Sequence, residues 1–151
     1  MKELSIREII VHSQRVEQES YAFYDQASRL VTDEDVKPLL RDLALEEIRH
    51  FNNLRDLLEE ERVDETAMAA RVAIEVDLFE RFVKTHEITA ASTREGVLRI
   101  ALERERNTEA MYSMLLSFTN LDDRIVGVFE NLRLQEVGHA ARIKALMARI
   151  R

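Results

Sequence analysis

Cysteine is absent from this 151-residue chain, which excludes disulfides, thiolate metal sites and any cysteine-ligated iron centre within it. Three glycines and one proline leave little of the punctuation that strands and hairpins need, so the sequence predicts an almost wholly helical fold. No apolar run reaches the length of a signal or membrane-spanning segment, and Met1 leads straight into a charged amphipathic stretch. The expected location is therefore the cytoplasm, with no membrane partner. Positive charge is not in excess either: the formal net charge is −7, with both signs interspersed, and no basic patch is available to follow a phosphate backbone. Nucleic acid is not an expected partner. What the chain does have is 46% apolar and 34% charged residues in a length suited to one domain with a substantial core, residues 1–151.

Apolar residues recur at helical spacing from Ile6 through Ile9, Ile10, Val16, Phe23, Tyr24 and Ala27 to Leu30, which predicts one long amphipathic helix. Thr32-Asp33-Glu34-Asp35 reads as a capping box, with Pro38 tolerable in the opening turn, before a second stripe at Leu40, Leu43, Leu54, Leu57 and Leu58. Ala67 to Val83 reads as a shorter helix on a crossover. Ser92-Thr93-Arg94-Glu95 and Thr119-Asn120-Leu121-Asp122 read as caps of two further long helices, with stripes at Val97, Ile100, Ala101, Met111, Leu115 and Phe118, and at Ile125, Phe129, Leu132, Ile143, Leu146 and Ile150. The fold class is all-α: a four-helix bundle of two antiparallel hairpins, residues 1–61 and 92–151, joined by a long crossover, residues 62–91.

Each long stripe is interrupted near its middle by an ionisable residue. Glu17 lies near Ser13, Ser20 and Tyr24, in line with Ile10 and Phe23 on the first helix, and Glu105 stands between Ala101 and Thr108 on the third. Glu47 and His50 lie between Leu43 and Leu54 on the second, and Glu136 and His139 between Leu132 and Ile143 on the fourth. An i, i+3 pair shares one helix face, so each Glu-x-x-His can reach a common point. Four carboxylates in one core repel one another and lose their hydration, at an effective cost of several kcal/mol per unpaired ion. Arg15, Arg49, Arg104, Arg106 and Arg133 stand at offsets that point sideways or outward, so they are not expected to compensate. Two divalent cations balance four glutamates, and neutral imidazoles complete their coordination. The pattern is duplicated: Tyr24 follows Glu17 and Tyr112 follows Glu105 by seven residues, and these tyrosines precede Glu47 and Glu136 by 23 and 24.

With these residues the chain resembles the ferritin-like di-iron carboxylate proteins, in particular rubrerythrin-like proteins lacking a rubredoxin domain. The resemblance covers essentially the whole chain and rests on one Glu from each of two helices plus Glu-x-x-His from each of the other two. It is strongest in Val16 to Tyr24, with the Phe23-Tyr24 pair. It implies that Glu17 and Glu105 are terminal carboxylates, Glu47 and Glu136 bridge the metals, and His50 and His139 give one imidazole to each. Tyr24 and Tyr112 are then expected to hydrogen-bond to ligand carboxylates across the bundle. The cofactor implied is two iron ions, with Mn or Zn also compatible with the donor set. The activity implied is reduction of hydrogen peroxide, or reaction with O2, with electrons from a separate redox protein, and the assembly implied is a homodimer. One departure stands out: Thr108 follows Glu105 by three residues, where peroxidase-type relatives look as though they carry an additional carboxylate, and Glu109 is about 100° further round the helix.

Two other functions remain open at this level, a ferroxidase that hands iron to a store and a metal-stabilised bundle without turnover, as does hydroxylation of a larger substrate. Elsewhere the bland reading prevails. His12 and His86 lack a glutamate three residues before them and read as surface residues. Glu59, Glu60 and Glu61 read as a solvated helix end, and Met111, Met114 and Met147 as core filler. Phe79, Phe82 and Val83 are free to pack over the bundle or against a second chain.

Overall fold

The computed structural model describes residues 1–59, 63–75, 77–83, 88–89, 92–118 and 121–150, with the backbone alone for residues 81–83. A strand, β1 (Lys2–Ser5), runs into the long helices α1 (Ile6–Leu30) and α2 (Val36–Glu59). The crossover follows as α3 (Glu65–Ala69), β2 (Arg71–Ile74) and α4 (Leu78–Val83), and α5 (Arg94–Leu116) and α6 (Asp123–Arg149) complete the bundle. The all-α ferritin-like architecture is thus the observed one, with α1 packed on α2 and α5 on α6. Among the described residues, no helix is long and apolar enough to cross a membrane.

Ser5 starts α1 with a capping box: its hydroxyl accepts from the Glu8 amide at 3.1 Å while the Glu8 carboxylate accepts from the Ser5 amide at 3.2 Å. Two orphan amide donors are satisfied reciprocally. The other caps fall one to three residues from the start of each motif read in the sequence. Asp33, not Thr32, accepts from the amides of Asp35 and Val36. Thr93 accepts from Gly96, so it caps α5, and the Ser92 hydroxyl accepts instead from the Thr89 amide. Asp122 caps α6 through the Arg124 amide, and Thr119 and Asn120 lie outside the described residues.

The single helix expected over residues 67–83 is replaced by α3, β2 and α4. The reason is a long-range pairing. β2 lies antiparallel to β1 with Leu4 opposite Val72, and alternation turns Leu4 and Ile74 into the core while Arg71 and Ala73 stay exposed. β-Branched Val72 and Ile74 suit that pleat better than a helix face.

Tyr24 meets Ala101 and Tyr112 meets Glu17, so α1 and α5 are antiparallel. Asp42 meets Arg142 and His50 meets Gln135, so α2 and α6 are antiparallel too. The chain must therefore return along the bundle between α2 and α5. Accordingly Val63, Met68, Ile74, Leu78 and Phe79 join one apolar cluster, built on Ile9, Ile10, Leu54, Met111 and Phe129, while Ile88 joins the other, built on Ala27, Leu40, Leu43, Leu98 and Ile143. Each fully buried Leu or Ile contributes about 1.5–3 kcal/mol of hydrophobic stabilisation. Phe79 thus packs onto the bundle and stacks on the ring of His12 at 4.8 Å. His12 is half-buried rather than a surface residue, and burial, with the Arg15 charge beside it, holds its pKa below the usual value. His86, Glu60 and Glu61 lie outside the described residues.

Candidate metal centre

Between the two apolar clusters sits a polar layer. Glu17, Glu47, His50, Glu105, Glu136 and His139 are all buried, at 2% exposure or less, and all turn toward one another from α1, α2, α5 and α6. Two sets of ligand atoms each lie within 4.8 Å of one another: Glu17, Glu47, His50 and Glu136 in the first, and Glu47, Glu105, Glu136 and His139 in the second. Glu47 and Glu136 belong to both, the arrangement expected of carboxylates shared between two ions. The imidazoles of His50 and His139 stack in parallel, with centroids 5.4 Å apart.

The inward nitrogen is Nδ1 on both rings. His50 Nδ1 lies 3.3 Å from Glu17, 3.4 Å from Glu47 and 2.8 Å from Glu136. His139 Nδ1 lies 3.3 Å from Glu47, 3.4 Å from Glu105 and 3.8 Å from Glu136. The outer nitrogens are bound elsewhere, His50 Nε2 to Gln135 Oε1 at 2.8 Å and His139 Nε2 to the carboxylate of Glu46. A proton held at Nε2 by these acceptors leaves the Nδ1 lone pair available for a metal. The tyrosines cross between hairpins: Tyr24 donates to Glu105 at 2.5 Å and Tyr112 to Glu17 at 2.6 Å. Burial and the carboxylate each faces raise both phenol pKa values well above normal, so both stay donors.

Arg104 corrects the sequence reading. It is 5% exposed, with its guanidinium over the Phe23 ring at 4.9 Å and Nη2 reaching the Ser20 hydroxyl at 3.4 Å. It lies on the buried line Ala101, Arg104, Thr108, Met111, and burial lowers its pKa. Thr108 donates its hydroxyl to the Arg104 carbonyl, and Glu109 is only half-buried. The cluster therefore has one Glu and one Glu-x-x-His from each hairpin, as read in the sequence, without a further carboxylate from α5.

In the metal-free protein, protons do what the sequence argument assigns to cations. Burial and the charges of Glu17 and Glu105 push Glu47 well up, and burial with the charges of Glu105, Glu47 and Glu17 does the same to Glu136. Burial also acts to raise Glu17 and Glu105, yet both end below the carboxylate norm. Glu17 is lowered by the His50 charge and hydrogen bonding to Glu47, His50 and Tyr112, and Glu105 by Glu136, His139 and Tyr24. Burial disfavours both imidazolium ions, but the carboxylates override it, raising His50 strongly and His139 to about 10. Raised carboxyl pKa values on Glu47 and Glu136 and raised imidazole pKa values on His50 and His139 all move the layer toward charge neutrality.

Several atoms of the layer are held by ion-pair contacts alone: both oxygens of Glu47, one each of Glu105 and Glu136, and Nδ1 of His139 are buried and lie against opposing imidazoles or carboxylates without hydrogen-bond geometry. They are hard oxygen and borderline nitrogen donors around two common points. The residues present fit a pair of divalent ions.

A comparison with protein families matches residues 8–147 to Rubrerythrin. The chain belongs to the rubrerythrin family. The match makes nearly the whole sequence a ferritin-like di-iron domain and includes all six residues of the polar layer. No curated protein and no solved structure is significantly similar to this rubrerythrin family member.

Proposed function

We propose that the chain is a two-iron oxidoreductase of rubrerythrin type that reduces hydrogen peroxide with electrons from a separate redox protein. The observation that carries this reading is the buried gathering of carboxylates and imidazoles into two ligand sets that share Glu47 and Glu136, in a chain of this family. Glu17 and His50 would hold one ion, Glu105 and His139 the other, with Glu47 and Glu136 shared between them. An iron pair held there would supply the two electrons that, with two protons, convert one H2O2 into two molecules of water.

The chain's own residues create the setting for that exchange. Apolar clusters above and below the layer limit access of bulk water and strengthen every electrostatic interaction within it. Tyr24 and Tyr112 hold Glu105 and Glu17 in place, while Gln135 and Glu46 orient the imidazoles. The cysteine-free sequence offers no thiolate iron centre, so electrons arrive from outside it. A homodimer working in the cytoplasm completes this reading.

One observation favours a second reading, a ferroxidase: the ligand set is symmetric, with Thr108 bonded to its own helix where an additional carboxylate would stand. Stopped-flow oxidation of the diferrous protein separates the two. The peroxidase reading expects faster oxidation by hydrogen peroxide than by O2. Faster reaction with O2, with catalytic Fe(II) oxidation beyond two irons per chain, would refute it and establish the ferroxidase.

A further inference from the structure

The two halves of the polar layer match in their inner surroundings. Each imidazole faces three carboxylates through Nδ1: Glu17, Glu47 and Glu136 for His50, and Glu47, Glu105 and Glu136 for His139. Each terminal carboxylate accepts from a tyrosine of the opposite hairpin. Each outer Nε2 binds the side chain that immediately precedes the shared glutamate of the opposite hairpin. At that last position the symmetry breaks. Behind His50 stands the neutral amide of Gln135, and behind His139 the carboxylate of Glu46.

A carboxylate that accepts an imidazole N–H makes the opposite ring nitrogen a stronger donor to a cation than an amide does, because it stabilises positive charge drawn onto the ring. Glu46 is shared with Arg142, whose guanidinium lies 3.5 Å from it, but Arg142 also pairs with Asp42 at 3.2 Å and is 42% exposed. The anion behind His139 is tempered by this arrangement, not cancelled.

We propose that the two metal positions are unequal: the one formed by Glu105 and His139 fills first and holds its ion more tightly than the one formed by Glu17 and His50. This rests on the two-metal reading of the layer, with Glu46 and Gln135 as positioning residues that act through the imidazoles. Partners of this kind change metal affinity by about 10–100-fold. With Glu46 partly exposed and shared with Arg142, the lower end of that range, about tenfold between the two positions, is expected.

The test is zinc binding to the full-length apoprotein, with the filling order read from anomalous scattering in crystals given one equivalent of Zn(II), and the two affinities read by calorimetry. Wild type should bind in two steps about tenfold apart, the first ion lying at Glu105 and His139. Glu46→Gln, which keeps an acceptor and removes the charge, should level the two steps. The double exchange Glu46→Gln with Gln135→Glu should reverse the order, placing the first ion at Glu17 and His50. A merely structural role for Glu46 would weaken the His139 position without producing that reversal. Two ions bound with equal affinity in wild type, or a double exchange that still fills the His139 position first, would overturn this inference and leave the two-metal reading intact. No zinc bound in the layer at all would overturn both. The wild-type filling order decides the matter even if a variant fails to fold.

Discussion

Removing metal should give this protein an unusual dependence of stability on pH. In the folded apoprotein Glu47 and Glu136 keep protons that the unfolded chain loses near pH 4.5, and both imidazoles keep protons that it loses near pH 6.5. A group with a raised folded pKa contributes stability that is full below its unfolded pKa and is lost as pH rises through the folded one. Glu17 and Glu105 act in the opposite sense: their contribution is present above pH 4.5 and is lost on acidification. Apoprotein stability should therefore peak near pH 4.5. It should then fall as pH rises, first because Glu47 and Glu136 hold protons that the unfolded chain has lost, and above pH 6.5 because the two imidazoles do so as well. Each excess proton is worth about 1.4 kcal/mol per pH unit, which for a chain of this size is about 3–6 °C in Tm. The assay is thermal unfolding followed by circular dichroism in chelator at pH 5, 6, 7 and 8. Glu47→Gln with Glu136→Gln is the control, because an amide stands in for the neutral acid. The double variant should show a flatter profile between pH 5 and 6.5 and exceed wild-type apoprotein in Tm at pH 7. An apoprotein Tm that is level or rises from pH 5 to 8, or a double variant no more stable at pH 7, would refute the proton distribution.

Loading should release protons: two divalent ions that displace the protons on Glu47, Glu136, His50 and His139 liberate up to four per chain, measurable by calorimetry in buffers of different ionisation enthalpy. Glu47→Ala or Glu136→Ala should lose metal more completely than Glu17→Ala, because the first two serve both ligand sets, and elemental analysis of the purified variants checks this. Tyr24→Phe and Tyr112→Phe should each destabilise the protein by about 1–3 kcal/mol in urea unfolding, since each leaves a buried carboxylate oxygen without its donor. Ser5→Ala should cost about 1 kcal/mol through the lost cap of α1, with metal content unchanged.

The six residues of the polar layer were legible because the helical period is strict: a charged residue on a stripe of Ile, Leu and Val stands out, and Glu-x-x-His keeps both side chains on one face. Arg104 was equally readable, being three residues from Ala101 and four from Thr108, but its position beside Glu105 on a broad buried face made it look lateral. Glu46 and Gln135 sit at the edges of their stripes and are only partly buried. Their one available signal was the shared offset, one residue before each shared glutamate. The crossover was not legible locally. Helix, strand and helix there depend on Leu4 meeting Val72 from the far end of the sequence, and hydrophobic periodicity within residues 67–83 carries no record of that partner. Caps were off by one to three residues because Thr32, Ser92 and Thr119 satisfy the capping pattern as well as Asp33, Thr93 and Asp122 do.

The tyrosines that cross between hairpins bear on how the molecule assembles. Glu17 of the first hairpin depends on Tyr112 of the second, and Glu105 of the second depends on Tyr24 of the first. The same exchange holds for the imidazoles, since His50 is oriented by Gln135 and His139 by Glu46. Neither hairpin possesses a finished site, and each ligand set draws on both. In the two-metal reading each ion would be gripped by both hairpins, so metal concentration would add to the two apolar clusters in setting how firmly the halves are joined.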